Sequence, residues 1–146
     1  MKINNLDNPL FIFLLFLLSI FVNTISSIYF FPILFLGILF IAFSVCLKKR
    51  YYYSLTFIVL AFLFIELNSG FKAFSITLIA ILIYTFISPK IKRILSFSTL
   101  NPYIYITIFY LAIFILWSLQ YEVSSQLYYT MLINIVIDFI LFGILI

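Results

Sequence analysis

The chain reads as apolar runs separated by short polar stretches, and six such runs stand out, at about 9–25, 28–47, 51–67, 73–88, 102–120 and 128–146. A helix that crosses a bilayer needs about 20 apolar residues, with a usable range of about 17 to 25. Each run reaches that length within the usual boundary error of about two to four residues. The pattern predicts an all-α fold in which residues 1–146 form a single domain, an integral membrane bundle of six transmembrane helices. The punctuation between the runs has its own chemistry. Asn8-Pro9 and Asn101-Pro102 each place a capping side chain before a proline suited to the first helical turn. Ser88-Pro89 predicts a stop, because the residue before proline is pushed out of the helical region. Asn23 to Ser27 and Asn68-Ser69-Gly70 read as tight turns. All connections are short, so neighbouring spans are expected to be antiparallel.

Composition agrees: 67% of the residues are hydrophobic and 8% charged, where a soluble domain carries roughly a quarter charged. Lipid must solvate most of the surface. Lys2 ahead of the first apolar run could pass for a secretory signal, but no small-x-small cleavage site follows. The first run is expected to be an uncleaved span. Cys46 is the single cysteine and histidine is absent, which removes an intrachain disulfide and argues against metal sites and imidazole catalysis. The sequence holds no Gly-rich phosphate loop, no Ser-His pairing and no readable carboxylate pair. The expectation is a protein that is not an enzyme and uses no cofactor or metal.

The net charge of +4 would suit an acidic partner, but the basic residues sort by membrane side. With the N-terminus in the cytoplasm, Lys2, Lys48, Lys49, Arg50, Lys90, Lys92 and Arg93 lie inside and Lys72 alone outside. This positive-inside asymmetry predicts a cytoplasmic C-terminus as well. The charge therefore reports topology and no nucleic-acid partner is expected. The inner basic loops could additionally touch anionic lipid, at about 1 kcal/mol per basic residue, or a cytoplasmic protein. Tyr51, Tyr52 and Tyr53 at the inner side, and Trp117, Tyr121, Tyr128 and Tyr129 around the last outer loop, suit the headgroup level.

Asp138 is the sharpest chemical feature. It falls about ten residues into the last run, roughly 15 Å deep at 1.5 Å per residue, where an ionised carboxylate costs about 2.5–3.5 kcal/mol. No Lys or Arg lies at comparable depth in any run, so a buried ion pair is not available. Such a group is either neutralised by a proton or wetted by a cavity. Asn134 and Thr130 precede it at four-residue spacing on one helix face. This polar stripe has three readings: interhelical hydrogen bonds that fix packing or a partner, a ligand or ion pathway, or a helix shifted so that Asp138 lies shallower. Glu66 precedes the Asn68-Ser69-Gly70 turn and reads either as a solvated interfacial carboxylate or, with Lys72, as the flank of a binding mouth. Glu122 and Gln120 border the other outer loop. The few glycines limit close helix packing to contacts around Gly37 and Ser44.

The stretch "AFLFIELNSGFKAFSITLIAILIYTFISPKIKR" resembles the central pattern of the rod shape-determining MreD family. In that family an apolar span ends in an acidic residue, a small-residue turn follows, and the next span runs into a basic cluster. Glu66, Ser69, Gly70 and the Lys90 to Arg93 cluster fill those places, and Gln126, Thr130 and Asn134 resemble the family's final helix. The resemblance implies a multi-pass component of the bacterial inner membrane that serves cell-wall elongation without catalysis. Its implied partners are an MreC-like scaffold, the actin-like MreB and wall-synthesis enzymes. It also implies a fold similar to the six-span substrate-binding subunits of energy-coupling-factor vitamin transporters.

Two functional classes therefore compete. An assembly protein would bind other membrane helices through Thr130, Asn134, Asp138 and Glu66, and cytoplasmic partners through its basic loops. A small-molecule-binding transporter subunit would use Glu66 and the outer loops as the mouth of a pocket. Coupled carriers usually break their helices near the midplane, and Pro32, near the outer end of its run, is the only proline or glycine interruption of that kind that suggests itself. A channel lined by the Thr130 stripe with Ser19 and Asn23 ranks last. The sequence leaves the oligomeric state open.

Overall fold

The computed structural model describes residues 5–28, 33–94, 101–122 and 125–145. Among the described residues the chain is helical with no strand. A 3-10 turn at Asn5–Asp7 leads into α1 (Pro9–Ile28), followed by α2 (Leu36–Lys49), α3 (Tyr52–Ser69), α4 (Ser75–Leu82), a π-helical turn (Ile83–Ile87), α5 (Ser88–Ile94), α6 (Asn101–Gln120) and α7 (Ser125–Leu145). Four of these, α1, α3, α6 and α7, are long and apolar enough to cross a membrane. Lys2 and Pro32 lie outside the described residues.

α2 is the centre of the bundle and packs on α3, α6 and α7, while α1 lies against α3. It is buried nearly all round, from Leu36 to Phe43 and again at Cys46, as expected of a helix that is apolar on every face. Phe40 stacks on Phe109 of α6 with ring centroids 4.5 Å apart. Phe62 of α3 closes the cluster, 6.0 Å from both Phe43 and Phe109. The outer faces of α1 and α7 remain apolar and exposed, at Leu10, Leu14, Phe21, Leu132 and Ile140 among others, the surface that lipid would solvate.

Several local expectations need correction. The run at 28–47 is not a helix throughout: residues 33–35 are non-helical and α2 begins only at Leu36. Asn23 to Ser27 is not a turn but the end of α1, which continues to Ile28. Ser88-Pro89 is not a stop, since Ser88 is helical at φ −55 and ψ −44 and α5 runs on through the proline. The missing proline N–H falls in the first turn of α5, just beyond the π turn, where the regular ladder is already interrupted. Asn8 caps as expected, its Oδ1 accepting from the Leu10 N–H at 3.0 Å. Asn101 does not, because its buried Oδ1 accepts no hydrogen bond. The Asn68-Ser69-Gly70 turn forms as read: α3 ends at Ser69 and Gly70 takes φ +77. A side chain there would be strained, and its Cβ would also lie 2.9 Å from Tyr121 Oη.

The chain ends sort into two groups. Asp7 pairs with Lys49, which brings the 3-10 turn to the end of α2, and Lys48 shares a cavity lining with Ser88 and Pro102. The Gly70 turn meets Tyr121 at the other end, where the Tyr121 hydroxyl donates to the Gly70 carbonyl at 2.7 Å. Lys48, Lys49 and Arg50 therefore share one end of the bundle with the start of α5, which carries Lys90, Lys92 and Arg93, and Lys72 lies beside the opposite turn.

Candidate functional site

Interrupting a helix inside a bilayer exposes backbone groups that water cannot reach, and each must find a partner within the protein. α2 has 14 residues, about 21 Å at 1.5 Å per residue, too short to cross about 30 Å of hydrocarbon. Its N-terminus is buried within the bundle, and buried polar residues converge on it. Phe35 stands at the break in a left-handed conformation, φ 51 and ψ 23, and is followed by helical Leu36. A left-handed residue followed by a right-handed one turns successive N–H groups to one side, a concave anion-binding nest. Asp138 of α7 fills it. Its Oδ2 accepts from the Gly37 N–H at 2.7 Å and from the Tyr110 hydroxyl of α6 at 2.7 Å. Asp138 is fully buried and Tyr110 nearly so.

The remaining groups of the interruption are also served by side chains. Asn134 Oδ1, one turn before Asp138, accepts from the Leu34 N–H at 2.8 Å, and its Nδ2 donates to the Thr130 carbonyl at 2.8 Å. The Ile33 N–H donates to Ser26 Oγ at 3.2 Å, and the Ile33 carbonyl accepts from Asn23 Nδ2 at 3.3 Å. Asn68 of α3 steadies that amide by donating to Asn23 Oδ1 at 2.6 Å. The Phe35 carbonyl accepts the first regular helical bond, from the Leu39 N–H at 3.1 Å.

Glu66 repeats the design one helix further on. Phe74, at φ 66 and ψ 6, is left-handed and precedes helical Ser75. Glu66 Oε2 accepts from the Phe74 N–H at 2.6 Å and Oε1 from the Ile76 N–H at 2.5 Å. In both sites the residue two beyond the left-handed phenylalanine, Gly37 or Ile76, gives its N–H to a carboxylate from another helix. A bulky residue in the left-handed region is an outlier that the surroundings must hold in place, and a carboxylate at a helix N-terminus does so through charge-assisted bonds aligned with the helix dipole.

Glu66 is wholly buried, which overturns the reading of a solvated interfacial carboxylate. Nor does it flank a mouth with Lys72, since both of its oxygens face α4 amides and Lys72 is exposed. Thr130, Asn134 and Asp138 are all buried along α7, and Asn134 and Asp138 meet the start of α2, with Asn134 also bonded to Thr130. Glu122 is exposed. Lys48, Lys49, Arg50, Lys90 and Arg93 are exposed at their shared end.

The sequence reading missed Tyr110, Asn23, Ser26 and Asn68 as members of this network. Tyr110 carried a signal, being the tenth residue of a 20-residue apolar helix, far from the headgroup level where a phenol finds water. The polar pairing itself is specific: the unbranched backbone of Gly37 lets α2 approach, and a Cβ there would stand 2.6 Å from Ile106 Cγ2 and 2.7 Å from Asp138 Oδ2. Among the described residues no group of histidine, cysteine or acidic side chains is placed to hold a metal ion. Comparison of the chain with protein-family models, curated proteins and solved structures finds no match in any of the three.

Proposed function

We propose that this chain is a non-enzymatic, multi-pass component of the bacterial inner membrane, similar to the MreD family, that assembles cell-wall elongation proteins through its transmembrane helices and its inner basic loops. The observation that carries this reading is the use made of the two buried carboxylates. Asp138 through Oδ2 and Glu66 through both oxygens are engaged with the starts of α2 and α4, which supports their reading as braces. Function then rests with the surfaces: the apolar outer faces of α1 and α7, and the cationic end. An MreC-like scaffold fits the first, and acidic segments of cytoplasmic partners fit the second.

Six spans are part of the same proposal. The non-helical residues 33–35 add about 10 Å at roughly 3.3 Å per residue to the length of α2, and α4, the π turn and α5 run without interruption over residues 75–94. Seven basic residues against one across the two ends favours cytoplasmic termini.

The test is affinity purification of the tagged protein from its native membrane in mild detergent, with mass spectrometry of what copurifies. MreC-like scaffolds or wall-synthesis enzymes are the expected company. The alternative is a small-molecule-binding transporter subunit, favoured by one observation, a helix whose N-terminus is buried among the other helices, as in the interrupted helices of many transporters. Recovery of transporter ATPase subunits without wall proteins would select it. A vitamin-type ligand would then raise stability by about 2.7 kcal/mol at a hundredfold excess over its dissociation constant.

A further inference from the structure

The cationic end holds a polar constellation that helix capping does not use. A cavity of about 180 Å³ opens between α2, the π turn, the start of α5 and the start of α6. Among the described residues its polar lining comes from Ser44, Lys48, Tyr84, Ser88 and Tyr105, with no carboxylate. Ile41 and Val45, deeper along α2 than Lys48, form an apolar wall. Among the described residues the ion pair at this end is Asp7 with Lys49, which leaves Lys48 to the cavity. The Ser88 hydroxyl donates to Tyr105 Oη and the Tyr105 hydroxyl donates to the Ser88 carbonyl, each at 3.3 Å, longer than the usual 2.7–2.8 Å or so of a hydroxyl pair, so a charged acceptor in the cavity can replace either long bond with a stronger one. Pro102, in the first turn of α6, also lines the cavity. Asn101, placed to cap that turn, has a buried Oδ1 that accepts nothing. The positive end of α6 therefore abuts the cavity without a cap from Asn101. Lys90 and Arg93 add charge from exposed positions on α5, and π turns frequently mark functional sites.

We propose that this cavity binds the phosphate of an anionic lipid headgroup, with Lys48 as its charge partner and the Tyr105 and Ser88 hydroxyls as donors. Cation, hydroxyls and a helix N-terminus together match a phosphate. A soluble phosphate shares that chemistry, but the apolar wall and the position at the end of the apolar helices favour a lipid. The proposal holds whichever machinery the protein serves.

The full-length protein is reconstituted with phosphatidylglycerol or phosphatidylcholine and extracted in mild detergent, and retained lipid is counted by native mass spectrometry. The wild type is expected to retain phosphatidylglycerol and not phosphatidylcholine. Lys48→Gln and Tyr105→Phe should each lower that retention by about fivefold, whereas Lys72→Gln at the opposite end should leave it unchanged. Protection of the buried Cys46 thiol from labelling establishes that each variant is folded, and Tyr105→Phe decides the matter if Lys48→Gln is not. Equal retention by all variants, or equal retention of the two lipids, overturns the proposal. So does stabilisation by inorganic phosphate or glycerol phosphate, lost in Lys48→Gln, with no lipid retained, which would reassign the site to a soluble ligand.

Discussion

Replacing Asp138 by leucine removes the acceptor of two buried donors, the Gly37 N–H and the Tyr110 hydroxyl. Leaving a buried donor unpaired costs about 1–3 kcal/mol, so the pair should cost about 2–6 kcal/mol, a large share of the roughly 5–15 kcal/mol that keeps a domain folded. Asp138→Asn keeps a carbonyl oxygen where Oδ2 stands, but it loses the charge assistance and buries an amide NH2 where Oδ1 has no partner, so it should cost less than leucine without matching the wild type. Tyr110→Phe made on top of Asp138→Leu removes one of the orphaned donors and should recover about 1–3 kcal/mol. Cys46 offers the assay, because it is the single cysteine and is fully buried. A thiol-reactive fluorophore added to the detergent-solubilised protein then reports unfolding as temperature rises. The expected order of melting temperature is wild type, Asp138→Asn, the double variant, then Asp138→Leu. Equal melting of Asp138→Asn and Asp138→Leu, or strictly additive losses in the double variant, would refute the idea that Asp138 acts by satisfying the start of α2.

Glu66→Leu should destabilise by a similar margin, since it strips acceptors from the Phe74 and Ile76 N–H groups, and Glu66→Gln, which keeps one carbonyl, should fall between it and the wild type in the same thermal assay. Gly37→Ala should cost about 1–3 kcal/mol by overpacking, because its Cβ would press on Ile106 and Asp138, while Gly143→Ala, whose Cβ has 3.6 Å to Tyr103 Oη, should melt with the wild type. Asn134→Leu should expose the 33–35 segment to faster proteolysis and lower the melting temperature through the lost Leu34 bond. Asp7→Asn should have a smaller effect than any of the buried polar substitutions, and that effect should vanish at high salt, because its pair with Lys49 is more than a third exposed on both sides.

The sequence by itself determined that the chain is helical and built for lipid, because hydrophobic content and run length are local properties that need no knowledge of neighbours. It also marked Asp138, Asn134 and Glu66 as unusual, since polar groups in apolar runs are conspicuous wherever the helices go. What only the tertiary structure decided is the purpose of those groups. An apolar run gives the same signal whether it is one helix or a helix begun late, so the break at residues 33–35 left no mark in the periodicity of 28–47. The partners that make the break tolerable come from elsewhere: Asp138 lies 101 positions beyond Gly37, and Asn134 lies 100 beyond Leu34. Glu66 looked solvated because a turn follows it, and it is buried because that turn folds the start of α4 back onto it. Hydrogen-bond demand is created by one segment and met by another. The identity of the polar residues is therefore readable along the chain, and their pairing is fixed only when α3, α6 and α7 close around α2 and α1 meets Ile33.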